Sequence, residues 1–226
     1  MKTLRVTSWM VLLLVAVGFT KVSFAQQEQK EKIEKSTEVL RDFSKMKESI
    51  PARLLNEAQG IIIIPNMIKA GLGVGGQRGK GVAMVKTADG TWSDPAFVTI
   101  TGGSIGFQAG ITSTDLVLLF KDRATLTNIG NTAVTLGGAV SVAAGPVGRT
   151  ATAGTNANFD AQVYSYSRSK GLFAGISLNG NSISFDEDAN RAFYSSDVTA
   201  SSVLAGSGKA SSPGVKELKE TLRGMK

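Results

Sequence analysis

From Gly60 to Phe185 the chain is dense in glycine, yet between the glycines apolar and polar residues alternate in short runs. Alternation with a period of two marks strands with one buried face. Glycine weakens a strand unless the backbone must bend tightly or approach another backbone closely. The pattern therefore restricts the fold to a small barrel or a strongly curved, predominantly antiparallel sheet. We expect strands around Gly79 to Lys86, Ala96 to Thr101, Ser104 to Ile111, Thr114 to Phe120, Ala133 to Ala143 and Gln162 to Arg168, with one or two helical turns over Asp122 to Ile129. The branched run Ile61 to Ile64 reads as a buried strand.

The segment GLFAGISLNGNSISFDEDANRAFY, Gly171 to Tyr194, carries the sharpest local signal. Asn179-Gly180 tolerates the positive φ of a type I′ turn, which predicts a two-residue hairpin pairing Ile176 with Ile183 and Ala174 with Phe185. Asp186, Glu187 and Asp188 then place carboxylates where the free amides of a helix start favour them, ahead of Ala189, Ala192, Phe193 and Tyr194.

Helices are expected at both ends. Between Gln26 and Ser49, Ile33, Val39, Leu40, Phe43, Met46 and Ile50 fall within one arc at 100° per residue. Ser49 and Pro51 start a second short helix through Asn56. Ser212 and Pro213 precede Val215, Leu218, Leu222 and Met225, the spacing of a closing helix. With AGSGKASS (Ala205 to Ser212) as the one linker-like stretch and no internal repeat, the economical division is a single α+β domain over 26–226. It has a helical part 26–59, a β body 60–185 and a helical part 186–226.

Lys2 and Arg5 precede an apolar run from Trp9 to Phe19, with small Ser23 and Ala25 at the positions a signal peptidase reads. We expect a secretory signal peptide over 1–25, cleaved near Ala25. A membrane-spanning helix needs roughly 20 predominantly apolar residues, and Lys21 interrupts this stretch early. Cleavage leaves 22 basic against 18 acidic residues, a net charge of +4. That biases the protein toward anionic surfaces and falls far short of a nucleic-acid footprint. The chain has no His and no Cys, which removes the commonest general base, zinc ligands and the thiol nucleophile together. Most hydrolase and metalloenzyme readings fail on this count; carboxylate-only or Ser-Lys catalysis stays open, but no spacing points to it, and we expect a non-enzymatic protein without metal or cofactor.

Gly71, Gly73 and Gly76 spell a dinucleotide-type G-x-G-x-x-G, but no amphipathic helix pattern follows. Gly206 to Lys209 lacks the residues of a phosphate loop at 203 and 210. Asp186, Asp188, Asn190 and Asp197 have calcium-loop spacing, with Arg191 where glycine is required. The most suggestive charges are Arg78 and Lys80 in GGQRGKG, with Lys69 and Lys86 close in sequence. Glycine-exposed amides beside a guanidinium and an ammonium make a nest for a phosphate. An exposed hairpin turn with incidental charge has the same sequence.

GLFAGISLNGNSISFDEDANRAFY resembles the SYLF domain family, as do GIIIIP (Gly60 to Pro65), GGQRGKGVAMV (Gly75 to Val85), TWSDPAFVTITGGSIGFQAG (Thr91 to Gly110), STDLVLLF (Ser113 to Phe120) and SVAAGPVGR (Ser141 to Arg149), in the same order as in its bacterial secreted branch. The resemblance implies lipid binding, with anionic phospholipid or phosphoinositide-type head groups as ligand and Arg78, Lys80, Lys69 and Lys86 as candidate contacts. It also implies membrane contact by the first helix, with Lys30, Lys32, Lys35, Leu40, Arg41 and Phe43 as candidates. The interleaved acids Glu28, Glu31, Glu34, Glu38, Asp42 and Glu48 suit a solvated face on a packed helix better than a lipid footprint. Eukaryotic members of the family are associated with phosphoinositides and actin. The expected setting is periplasmic or secreted, with peripheral membrane association. Two alternatives stay open: a structural or protein-interaction module of the periplasm without lipid ligand, and an outer-membrane barrel. One Trp and three Tyr after cleavage are few for two aromatic girdles.

Overall fold

The computed structural model describes residues 26–46, 49–130, 133–145, 161–169, 172–173, 176–194, 198–208, 210 and 212–225. The expected signal peptide and the SVAAGPVGR motif beyond residue 145 lie outside them.

The centre of the fold is one long ribbon. Strand β1 (Gly60–Val85) pairs antiparallel with β2 (Ala96–Phe120), from Gly60 opposite Phe120 to Ala83 opposite Ala96. The strands expected at 79–86, 96–101, 104–111 and 114–120 are thus stretches of two continuous ones, whereas the single strand expected from Ala133 to Ala143 is two short ones, Val134–Thr135 and Val142–Ala144, parted by a turn over 137–139 with Gly137 at φ +76°. Glycines that read as interruptions are paired: Arg78 lies opposite Thr101 and Lys80 opposite Thr99. Beyond the ribbon run β3 (Val134–Thr135), β4 (Val142–Ala144), β5 (Val163–Ser169), β6 (Leu172–Phe173) and β7 (Ser182–Phe185). The sheet order is β3-β7-β2-β5-β4, with β1 on β2, β6 on β5, and all described pairings antiparallel except β4 with β5.

The ribbon doubles back on itself about Leu72 to Val74, which gives the sheet its half-barrel curl. Gly75, Gly79 and Gly81 lie on the inner side of the bend. A Cβ on Gly75 would stand 2.6 Å from the Gly71 Cα, one on Gly79 3.1 Å from the Met67 Cβ, and one on Gly81 2.9 Å from the Ile64 Cα. At Gly75 and Gly81 two halves of one strand therefore meet backbone to backbone, and at Gly79 the Ile64 and Met67 side chains fill the space, so none of the three positions has room for a side chain of its own. Gln77 interrupts this row. Its buried amide donates to the Asn181 Oδ1 at 2.8 Å and the Ser177 carbonyl at 3.1 Å.

Both faces of Ile61 to Ile64 are buried, all four residues at 0% exposure. Ile61 and Ile63 point to a helical layer: α1 (26–45), α2 (Ala52–Glu57) and α6 (Pro213–Gly224). Ile62 and Ile64 point into the curl, closed by α3 (Arg123–Thr127), α5 (Ala200–Ser202) and the wide turn Val203–Ser207. Each such isoleucine contributes about 2 kcal/mol by leaving water. The helix spacings read from the sequence are the buried ones. Ile33, Val39, Leu40, Phe43 and Ile50 at one end and Val215, Leu218 and Leu222 at the other are nearly inaccessible.

The hairpin expected at Asn179-Gly180 forms as a turn only. Gly180 has φ +80° and the Asn181 N–H reaches the Leu178 carbonyl, but Asn179 is not at positive φ and Ile183 does not pair with Ile176. Its ladder partners are Ile100 on β2 and Val134 on β3, because a long strand with an open edge offers more apolar surface than the local segment. Ala174 lies outside the described residues. The linker-like AGSGKASS stretch is also partly anchored: the Ala210 N–H donates to Asp94, which Lys219 of α6 also grips.

One polar cluster ties helices to sheet. Pro65 and Asn66 form a bulge opposite Asp115, with Asn66 at φ +51° and its N–H on the Asp115 Oδ1 at 2.9 Å. Arg168 of β5 spans the other Asp115 oxygen at 2.6 Å and Asp42 of α1 at 2.8 Å. Replacing Arg168 by Met leaves two facing carboxylates without a counter-charge. We predict a loss of about 3 kcal/mol in the urea unfolding of R168M, largely restored when Asp42→Asn and Asp115→Asn are added.

Candidate functional site

Period-two alternation sorts the descending half of β1 into two faces. Gly75, Gln77, Gly79 and Gly81 face the bend. Leu72, Val74, Gly76, Arg78 and Lys80 face outward, the first four exposed and Lys80 half-buried. Across the ladder Arg78 meets Thr101 and Lys80 meets Thr99, and on the next strand Thr101 meets Ser182 and Thr99 meets Ser184. Three strands thus present rows of cation, hydroxyl and hydroxyl.

This strip lines a shallow cleft of about 590 Å³, bounded by α4 (Glu187–Phe193), with Glu187, Asp188 and Arg191 at its edge. Helix α4 is held by Asn190, fully buried, whose amide accepts from the Phe97 N–H at 2.9 Å and donates to the Phe97 carbonyl at 3.2 Å. Asp186 caps the helix by accepting from the Ala189 N–H at 3.1 Å and pairs with Lys80 at 2.8 Å. Burial pushes the Asp186 carboxyl upward. The Lys80 bond, the Ala189 amide and the charges of Lys80 and Lys32 outweigh it, so its pKa lies below the usual carboxylate value. Arg191 is held by Asp188 at 2.6 Å. Arg78 makes no ion pair among the described residues.

The expected phosphate nest has a different form. Arg78 and Lys80 are neighbours on one face, but on a paired strand and not on a loop, so their backbone amides serve the ladder and only side chains face a ligand. Lys69 is also on β1, beyond the bend, opposite Thr112. Lys86 lies elsewhere: its ammonium donates to the Asn56 carbonyl at 2.6 Å and sits 5.4 Å from the Trp92 ring, against the C-terminal end of α2. Of the first-helix candidates, Leu40 and Phe43 are at 0% exposure in the core, so in this conformation neither reaches a membrane. Arg41 bonds Glu217 at 2.6 Å and Lys32 lies 3.4 Å from Glu28, while Lys30 and Lys35 are exposed. The outward Leu72 and Val74 escaped the sequence reading. Counting by twos from Arg78 finds them.

Among the described residues no three His, Cys, Asp or Glu side chains are grouped to hold a metal ion, and no helix is long and apolar enough to cross a membrane. The G-x-G-x-x-G glycines lie inside β1, with no helix after them. The site is a surface of opposed side chains on a rigid sheet, suited to binding.

An α+β half-barrel with such a surface belongs to a class known from sequence comparison. Residues 101–225 match the family model described as "Ysc84: Las17-binding protein actin regulator", and the chain belongs to this family, the SYLF domain family. It is 42% identical over 164 residues to the SH3 domain-containing protein PJ696.02 of Schizosaccharomyces pombe, covering 70% of this chain and 37% of that protein. It is 41% identical over 160 residues to LAS seventeen-binding protein 3 of Saccharomyces cerevisiae, 70% of this chain and 35% of that one. With the human SH3 domain-containing YSC84-like protein 1 it shares 35% over 184 residues, 78% of this chain and 54% of the relative. The chain thus spans between a third and just over half the length of these relatives.

Because the folded pKa of Asp186 is depressed, its contribution to stability is complete above the ordinary carboxylate range, about pH 4, and lost as pH falls through the depressed value. Asp186→Ala should cost about 1 kcal/mol near neutral pH, as loss of an N-cap does. The gap to the parent should narrow in urea unfolding at acid pH.

Proposed function

We propose that the chain is a non-enzymatic module that binds anionic phospholipid head groups on the outward face of β1, with Arg78 and Lys80 as the principal contacts. One observation carries this reading. Residues 60–88 and 95–114, which include all of β1 and β2 up to Thr114, contain Lys69, Arg78, Lys80 and Lys86 and no acid. Arg78 presents a free guanidinium there beside Thr101, suited to a two-pronged grip on a phosphate. Lys80 is shared with Asp186, so a phosphate competes for it and Arg78 has the larger role. In this reading the chain works in the periplasm or outside the cell, after removal of residues 1–25, as a peripheral membrane protein.

A second reading is a protein-interaction module. The name of LAS seventeen-binding protein 3 favours it, since that relative is named for a protein it binds. An envelope protein is then the partner of this chain, engaged without lipid.

Co-sedimentation with phosphatidylcholine vesicles, with and without phosphatidylglycerol, over a salt series separates the two. Lipid binding predicts anionic preference that weakens with salt and drops about tenfold or more for R78E/K80E, at roughly 1 kcal/mol per basic residue near the surface. Indifference to every vesicle, with capture of an envelope protein, supports the second reading.

A further inference from the structure

The bend that curls the ribbon leaves aliphatic side chains at its apex with nothing over them among the described residues. Leu72 is 80% exposed, Val74 and Ile111 77% each, and Ile68 43%. Leu172, 73% exposed, lies at the same end: it pairs with Ser169, whose hydroxyl donates to the carbonyl of Ser113, the ladder partner of Ile68. Exposed aliphatics scattered singly need no explanation, but several gathered at the tip of one element mark a contact surface.

Charge selects the occupant. The apex is flanked on β1 by Lys69 on one side and by Arg78 and Lys80 on the other. The nearest acid along β2, Asp115, is neutralised by Arg168 and by the Asn66 amide. Leu72, Val74, Arg78 and Lys80 share one face, so that face reads apolar at the tip with the Arg78 guanidinium behind it, Lys80 further back being paired with Asp186. The four residue steps from Val74 to Arg78 span at most about 13 Å, enough to cross the head-group layer at a tilt. This polarity matches the boundary between acyl chains and anionic head groups. A protein partner with an apolar groove would leave the basic collar without a counterpart.

We infer that the apex of the β1–β2 ribbon inserts into the acyl layer of an anionic bilayer, Leu72, Val74 and Ile111 leading and Lys69 and Arg78 meeting the phosphates. This rests on the lipid-binding reading and adds to it a site of penetration. The first helix then stays packed on the sheet, with Leu40 and Phe43 in the core.

The chain has no cysteine, so Leu72→Cys gives a unique site for a nitroxide, and Ala88→Cys, exposed in the loop at the far end of the ribbon, gives its control. On phosphatidylcholine–phosphatidylglycerol vesicles the label at 72 should become accessible to oxygen and shielded from a water-soluble nickel chelate, and the label at 88 should not change. In the parent background, Leu72→Asp with Val74→Asp should weaken partitioning at least about tenfold without lowering the melting temperature, since both side chains are exposed. If the protein binds vesicles with salt sensitivity while label 72 stays in water and L72D/V74D binds as well as the parent, insertion is wrong and head-group binding stands. If the parent ignores all vesicles, both fail. A dimer formed without lipid and abolished by L72D/V74D, with no vesicle binding, assigns the apex to a second copy and overturns the inference.

Discussion

The fold depends on one contact: the backbone of β1 lying against itself across Gly75 and Gly81, with Gly79 between them making room for the Ile64 and Met67 side chains. Elsewhere in the sheet side chains hold layers apart, as sheet packing normally requires. Here the ribbon closes to a separation that only hydrogen fits. That closeness turns a long two-stranded ribbon, marginal by itself, into a curled platform with an inside for Ile62, Ile64, Val98 and Leu118 and an outside for the helices. At the bend itself Leu72, Val74 and Ile111 are exposed.

The same alternation that places glycine inside places Leu72, Val74, Arg78 and Lys80 outside. Packing and the proposed binding face are therefore written in the odd and even positions of one strand. Asp186 and Asn190 link the platform to α4, the first by capping the helix and pairing with Lys80, the second by completing the Phe97 backbone hydrogen bonds. Arg168 with Asp42 and Asp115 does the equivalent for α1 at the other end of the sheet. With α1 and α6 packed on the core, Leu72, Val74, Gly76 and Arg78 remain exposed on the outward face of β1.

Much of this was legible in the chain. Ile61 to Ile64, the arc from Ile33 to Ile50, the 3-4-3 spacing of Val215, Leu218, Leu222 and Met225, and the short helix after Asp122 all form where local pattern puts them. These signals depend on burial and capping, which are local. What failed to show is what partners decide. Glycines in GGQRGKG look like a loop because nothing local supplies the ladder that β2 provides. Asn179-Gly180 makes its turn, but Ile183 chooses Ile100 and Val134 over Ile176. Arg78 and Lys80 were found together because two residues on one strand share a face. Lys86, six residues on, lies apart from them because the end of α2 holds its ammonium.

The central claim is that backbone-on-backbone packing in β1 creates the curl and, with it, the outward face. Its most direct measurement is the unfolding free energy of Gly81→Ala beside that of Gly103→Ala, a strand glycine with open space around its missing Cβ. The added methyl at 81 would meet the Ile63 carbonyl and lie 2.9 Å from the Ile64 Cα. The account predicts a loss of at least about 2 kcal/mol for G81A and a change within about 0.5 kcal/mol for G103A. Equal stabilities for the two variants would contradict it.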